Sequence, residues 1–102
     1  MIERKFLLGF IKIHILYHAS KEPIFGVGIV EELSRHGYYL SPGTLYPTLH
    51  RLVKEGYLKQ DSKLVGGKVR KYYTITESGL EVLKQSRDKI SELVDEVLDE
   101  GK

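Results

Sequence analysis

His50, Arg51 and Lys54 lie close together in a stretch that also holds Gly43, Thr44 and Pro47. If this stretch is helical with Leu45, Leu49, Leu52 and Val53 turned inward, a step of about 100° per residue turns all six outward. That outward face carries two permanent cations, short polar groups and no acid. Its chemistry suits phosphate oxygens and the base edges of a major groove. For this helix alone, a solvated face is the simpler explanation. A second basic cluster follows. Lys68, Arg70 and Lys71 crowd together ahead of Tyr72 and Tyr73, while Lys59 and Lys63 precede them with only Asp61 in opposition. A basic hairpin after a basic exposed helix can grip a sugar-phosphate backbone and a neighbouring minor groove. Lysines that protect a sheet edge from pairing would also account for the cluster.

Other arrangements lead less far. His14 and His18 are four residues apart and share a helix face, but a metal site needs a third ligand, and Glu22 is the only acid near in sequence. Packing or surface roles are expected for both, and no metal or cofactor is expected. Gly26-x-Gly28 is followed by Glu31 where a dinucleotide fingerprint requires glycine, and no strand precedes it. There is no G-x-S-x-G, no phosphate-binding loop and no cysteine. No enzyme chemistry is expected. Tyr17, Tyr38, Tyr39, Phe6 and Phe10 could line a small-molecule pocket, although aromatic residues near helix junctions more often belong to the core.

The elements that must position the basic residues follow from spacing. Phe6 to Ala19 reads as a first helix, with Phe6, Phe10, Ile13 and Tyr17 on one face and apolar residues on nearly every side. Ser20 to Pro23 reads as a loop. A second helix covers Phe25 to Arg35, with Val27, Val30 and Leu33 as its apolar stripe and Gly37 as its stop. Ser41-Pro42 starts a third helix that runs to Glu55, with Ser41 as its side-chain cap. Pro47 removes a hydrogen bond inside it, so a kink or a distorted first turn is expected. Tyr57–Leu64 and Lys68–Ile75 read as strands joined through Gly66-Gly67. A final helix runs from Thr76 or Ser78 to about Glu100, longer than a body of this size requires.

The fold expected is mainly α with a small β-hairpin: a winged helix-turn-helix with a long C-terminal dimerisation helix. The winged-helix domain occupies residues 1–76 and the dimerisation helix residues 77–102. Charge divides at the same boundary. Residues 1–76 carry 12 Lys/Arg against 6 Asp/Glu, whereas residues 77–102 carry 4 against 8, within an overall formal charge of +2. A basic body with an acidic tail points to a polyanionic partner for the body alone. No apolar run approaches the roughly 18 residues of a membrane-spanning helix. A cytoplasmic chain with no membrane partner is expected.

The segments SPGTLYPTLHRLVKEGYL (Ser41 to Leu58) and GGKVRKYYTITESG (Gly66 to Gly79) strongly resemble the PadR-type transcriptional regulators. The resemblance covers roughly residues 7 to 84. It implies that the Ser-x-Gly-Thr-Leu-Tyr-Pro helix is the recognition helix, followed by a glycine-rich wing and a Thr-Glu-x-Gly start to the last helix. Upstream, Phe25-Gly26-Val27-Gly28-Ile29 stands where family members often have a His-Gly-Tyr-Glu-like start. The resemblance further implies a dimeric regulator, often a repressor, that in some members releases DNA when a small aromatic or cationic compound binds near the dimer interface.

Together these readings give a homodimer that binds double-stranded DNA. Thr44, Tyr46, Pro47 and His50 approach bases or backbone, Arg51 and Lys54 engage phosphates or guanine, and Lys68, Arg70 and Lys71 form the wing grip. Ser41 can also donate to a phosphate. Leu80, Leu83, Ile90, Val94 and Val97 recur in steps of three and four, interrupted by Arg87, close to a heptad seam. With Phe6 and Phe10 they are the expected dimer interface; the alternative is a last helix that folds back on its own body. The rival function is a winged helix that docks an acidic protein partner. A weaker one is a ligand-binding dimer with incidental DNA affinity.

Overall fold

Gly37 and Gly56 each follow the last turn of a helix with φ of +86° and +85°, a backbone region open mainly to glycine. In the computed structural model, which describes residues 2–99, they end the second and third of four helices. The order is α1 (Arg4–Lys21), α2 (Gly26–Arg35), α3 (Pro42–Lys54), β1 (Leu58–Val65), β2 (Lys68–Ile75) and α4 (Glu77–Leu93), which passes into a π-helical turn at Val94–Leu98. The expected end of the last helix at Glu100 lies outside the described residues. Among the described residues, no helix is long and apolar enough to cross a membrane.

Both glycines close the same motif. The amides of Gly37 and Tyr38 donate to the carbonyls of Ser34 and Leu33, and those of Gly56 and Tyr57 donate to Val53 and Leu52. These paired bonds satisfy the last carbonyls of each helix and fix the exit direction of the chain. The entry to α3 differs from the expected cap. Ser41 is extended and its carbonyl accepts from the amides of Thr44 and Leu45, but its side chain makes no capping bond. The hydroxyl instead lies 3.4 Å from that of Thr44. Pro47 does not interrupt the helix, which is continuous from Pro42 to Lys54. The hydrogen bond it removes would have ended on the carbonyl of Gly43, an exposed residue that water can serve.

The core joins Ile11, Ile15, Leu16 and Ala19 of α1 to Ile29 and Leu33 of α2, Leu45, Leu49 and Leu52 of α3, Leu58 and Tyr73 of the hairpin, and Leu83 of α4. Two expected stripes are therefore corrected. The Phe6–Phe10–Tyr17 face of α1 lies away from the core, because the opposite side of a helix apolar all round won the packing. In α2 the buried residues are Ile29 and Leu33, whereas Val27 is exposed. The helix starts at Gly26 rather than Phe25, and Val27 falls on its outer side.

β1 and β2 pair antiparallel, with Val65 opposite Lys68 across Gly66-Gly67. Both turn glycines have positive φ, +57° and +79°, which the two-residue turn with matching strand twist requires. Ile24 adds a bridge that the sequence reading missed. Its amide and carbonyl exchange hydrogen bonds of 2.9 and 2.8 Å with Tyr73, so the α1–α2 link lies beside the wing like a third strand. At the start of α4, the Thr76 hydroxyl accepts from the Gly79 amide at 3.0 Å and donates to the Gly56 carbonyl. A Cβ on Gly79 would come within 2.2 Å of the Tyr57 carbonyl oxygen. Only glycine lets the helix seat there.

Candidate nucleic-acid interface

α3 buries Leu45, Thr48, Leu49 and Leu52, packs Val53 partly against the core and turns its other side outward. Ser41, Gly43, Tyr46, Pro47, His50, Arg51 and Lys54 are exposed and Thr44 is half-buried, in agreement with the expected face. Buried Thr48 returns its hydroxyl to the Thr44 carbonyl at 2.8 Å, so it leaves no unpaired donor behind the face.

The flank of this helix holds cations that the sequence reading missed. Arg4 donates to the Thr44 hydroxyl, and Arg4 and Lys12 of α1 line one cleft with Gly43, Pro47 and Arg51. The signal was present, since Arg4 and Lys12 are basic. Only the tertiary fold brings them beside α3, about forty positions along the chain, and no periodicity reports that approach.

In the wing, strand alternation sorts the cations by face. Lys68 and Arg70 share one side with Lys59 and Lys63, whereas Lys71 lies on the other side opposite Ser62. Lys59 and Lys63 thus belong with the expected grip residues. The Arg70 guanidinium lies 4.4 Å from the centre of the Phe25 ring, and the Lys63 ammonium 5.2 Å from that of Tyr72. Phe25 also meets Tyr72 edge-on at 5.6 Å. These aromatic faces hold the long basic chains in place. Tyr46 bridges helix and wing. It lines a cleft with Lys68, Arg70 and Lys71, and its ring closes on Gly26, where a Cβ would meet the hydroxyl at 2.2 Å. The Gly26 of the altered α2 start is therefore needed for contact with α3. Behind it, burial raises the Tyr73 phenol above its ordinary pKa, helped by Tyr46, so it stays neutral.

The expected dimer residues separate into two groups. Leu83 is 4% exposed and belongs to the core of its own chain. Phe6 and Phe10 on α1 are 65% and 46% exposed, and Leu80, Ile90, Val94 and Val97 are 48%, 41%, 42% and 59% exposed. The last helix thus does not fold back to bury its outer stripe. Leu93 and Leu98 add further exposed apolar surface. Of the aromatic residues considered for a pocket, Phe10 and Tyr17 line a groove between α1 and α4 with Leu83, Arg87 and Ile90. Tyr38 packs edge-on against His14, Phe6 lies outside the groove, and Tyr39 borders a different cleft.

The model of the transcriptional regulator PadR-like family matches residues 15–85, which hold the end of α1, all of α2, α3 and the wing, and the first half of α4. The chain belongs to this family. A Mycobacterium tuberculosis protein named as a transcriptional regulator is 44% identical to it over 95 residues, covering 93% of this chain and 89% of the relative. Among solved structures, a PadR-like transcription factor from Bacteroides fragilis is similar with a TM-score of 0.82 at 28% identity, covering 93% of both chains. A PadR-like transcriptional regulator from Bacillus cereus gives a TM-score of 0.76 at 37% identity over 96% of this chain and 99% of its own. This PadR-family chain is a transcriptional regulator and not an enzyme. Its Thr-Glu-x-Gly segment is the Thr76 cap together with the close approach of Gly79 to Tyr57.

Proposed function

We propose that the chain is a homodimeric repressor that binds double-stranded DNA in a sequence-specific manner and acts in the cytoplasm. The observation that carries this reading is the basic surface of α3, its α1 flank and the wing. Arg51 and Lys54 stand on the recognition helix with Arg4 and Lys12 of α1 at its flank, while Lys68 and Arg70 rise from the wing across a cleft bridged by Tyr46. In this reading α3 enters the major groove. Thr44, Tyr46, Pro47 and His50 approach bases or backbone, Arg51 and Lys54 take phosphates or guanine, and Ser41 donates to a phosphate. The wing grips the flanking backbone through Lys68, Arg70 and Lys71.

Residues 1–76 form the reading head and residues 77–102 the dimerisation helix. The stripe of Leu80, Ile90, Val94 and Val97, with Phe6 and Phe10, meets its counterpart in a second copy. Full burial of each large apolar side chain contributes about 1.5 to 3 kcal/mol, so a few matched positions sustain a dimer. Two heads then read half-sites about 34 to 36 Å apart on a palindromic operator. We place a small-molecule effector in the groove between α1 and α4, beside this seam. The experiment is an anisotropy titration of the protein on a duplex from its own upstream region at 50 and 200 mM salt. A dimer making roughly 6 to 10 phosphate contacts loses about 10³ to 10⁵ in affinity over that range. Affinity that stays flat would falsify the proposed grip.

A further inference from the structure

Three imidazoles and a carboxylate converge where α1 meets the end of α2. His14 and His18 lie one turn apart on α1, and His36 is the C-cap residue of α2. Taking one ring nitrogen from each, the three donor atoms lie within 4.8 Å of one another. Glu32, one turn before His36, brings Oε1 to 3.7 Å from His18 Nε2 and 3.6 Å from His36 Nε2. Its other oxygen is held by Arg35 at 2.5 Å. The carboxylate is thereby oriented with one oxygen toward the histidines. His36 and Glu32 are neighbours that the spacing of His14 and His18 alone could not supply.

We propose that His14, His18, Glu32 and His36 form a binding site for a divalent transition-metal ion of the zinc class. Zinc bound to imidazole nitrogen and carboxylate oxygen at about 2.0 to 2.2 Å sets its tetrahedral ligands roughly 3.4 Å apart. The two Glu32–histidine separations exceed that by a few tenths of an ångström, and the histidine nitrogens, within 4.8 Å of one another, draw closer when the ion binds. Among the described residues, no side-chain hydrogen bond engages the three rings, and the contacts of His18 and His36 Nε2 are to Glu32, itself a donor of the proposed set. The rings of His14 and His36 stack at 4.9 Å, and Tyr38 backs His14 edge-on at 5.0 Å. Such packing engages the ring faces and not the ring nitrogens.

A three-nitrogen, one-oxygen donor set suits zinc and other late divalent ions better than magnesium or calcium. Arg35 plays the part of the outer partner that orients a ligating carboxylate. Arg87, which lines the groove between α1 and α4 together with the three histidines, is, like Arg35, a cation that opposes occupancy. The site joins α1, which carries the exposed Phe6 and Phe10, to the end of α2 just before the turn into α3. Its existence does not depend on the DNA reading.

The test uses the full chain, stripped of metal with chelator and titrated at about pH 7, where unperturbed imidazole is mostly neutral. Zn²⁺ binding is followed by calorimetry and Co²⁺ binding by its visible absorption. The expected result is one tight equivalent per chain, with the strong visible bands of tetrahedral Co²⁺. His36→Ala removes a ligand from an exposed position and keeps the fold by circular dichroism. It weakens Zn²⁺ binding by about 100-fold or more, beyond the 10- to 100-fold typical of an outer-shell loss. His14→Gln does the same, and both variants lose the tetrahedral bands. Absence of a tight equivalent in the parent chain overturns the proposal. So does an equivalent that survives both substitutions, since it would then reside elsewhere on the surface.

Discussion

Helices α3 and α4 start alike. Each follows an extended residue with a hydroxyl, Ser41 or Thr76, and each has a glycine in its first turn, Gly43 or Gly79. The Thr76 hydroxyl caps its helix and ties it to Gly56, and Gly79 sits against the Tyr57 carbonyl. Ser41 makes no such cap, and a Cβ at Gly43 would meet only the Ser41 hydroxyl, at 3.7 Å. The far ends reverse this order. α3 buries its apolar side within the chain, whereas the apolar stripe of α4 is uncovered beyond Leu83. The start of α3 is left open to an external ligand, and the end of α4 is left open to an external surface. In the proposed function these are the places that DNA and a second copy would fill.

The largest effect should come from charging the open end of α4. Ile90→Asp with Val94→Asp should yield a monomer and lower operator affinity by about 10² to 10⁴, the gain that linking two reading heads supplies. Sedimentation and a shift assay on the same samples test this. A variant that remains dimeric with full affinity removes α4 from the interface. In that monomeric background, urea denaturation separates the two apolar sides. Leu49→Ala, within the core, should lose about 2 to 5 kcal/mol. Val97→Ala, on the open stripe, should change stability by no more than about 0.5 kcal/mol. Equal losses would mean that α4 is covered by its own chain.

The outer face of α3 can be set against the wing in the same way. His50→Ala or Arg51→Ala should change sequence preference by about 1 to 3 kcal/mol at a contacted base pair. Arg70→Ala and Lys71→Ala should weaken specific and random duplexes alike. If neither α3 substitution alters preference in a binding-site selection, the helix is docked the other way round. The first-turn glycines sharpen the comparison further. Gly79→Ala should destabilise by about 1 to 3 kcal/mol through the clash with Tyr57. Gly43→Ala should fold at least as well, gaining up to about 1 kcal/mol from helix propensity, yet bind DNA less tightly because its backbone can no longer approach a phosphate closely. Thermal melts and anisotropy distinguish the two.

The element order, the glycine stops, the hairpin register around Gly66-Gly67 and the outer face of α3 were all legible in the sequence. Each is written in local spacing, in a period of 3.6 or 2, or in a residue with a special backbone preference. Other features depended on which neighbour arrives. Nothing local says that Ile15 rather than Phe10 faces the core of an all-round apolar helix, or that Leu83 is inside while Ile90 is outside. Val27 looked like a core position until Gly26 had to meet Tyr46. The Arg4–Thr44 bond, the Ile24–Tyr73 bridge and the approach of His36 to His14 join residues far apart in sequence. Such meetings carry no periodic signature.

The Ile24–Tyr73 bridge has a mechanical consequence. Two short hydrogen bonds fasten the wing at its base to the link between α1 and α2, while the Gly66-Gly67 tip stands free. From Tyr73 to that tip the strand extends about 20 Å at its usual rise per residue. A rocking of about 10° at the fastening point therefore carries the tip through about 3 Å, the length of one hydrogen bond. The arm multiplies small displacements of the helix link. If the wing grips DNA as proposed, a shift at the α1–α2 junction too slight to disturb the core would lift its lysines off a phosphate or set them down on it.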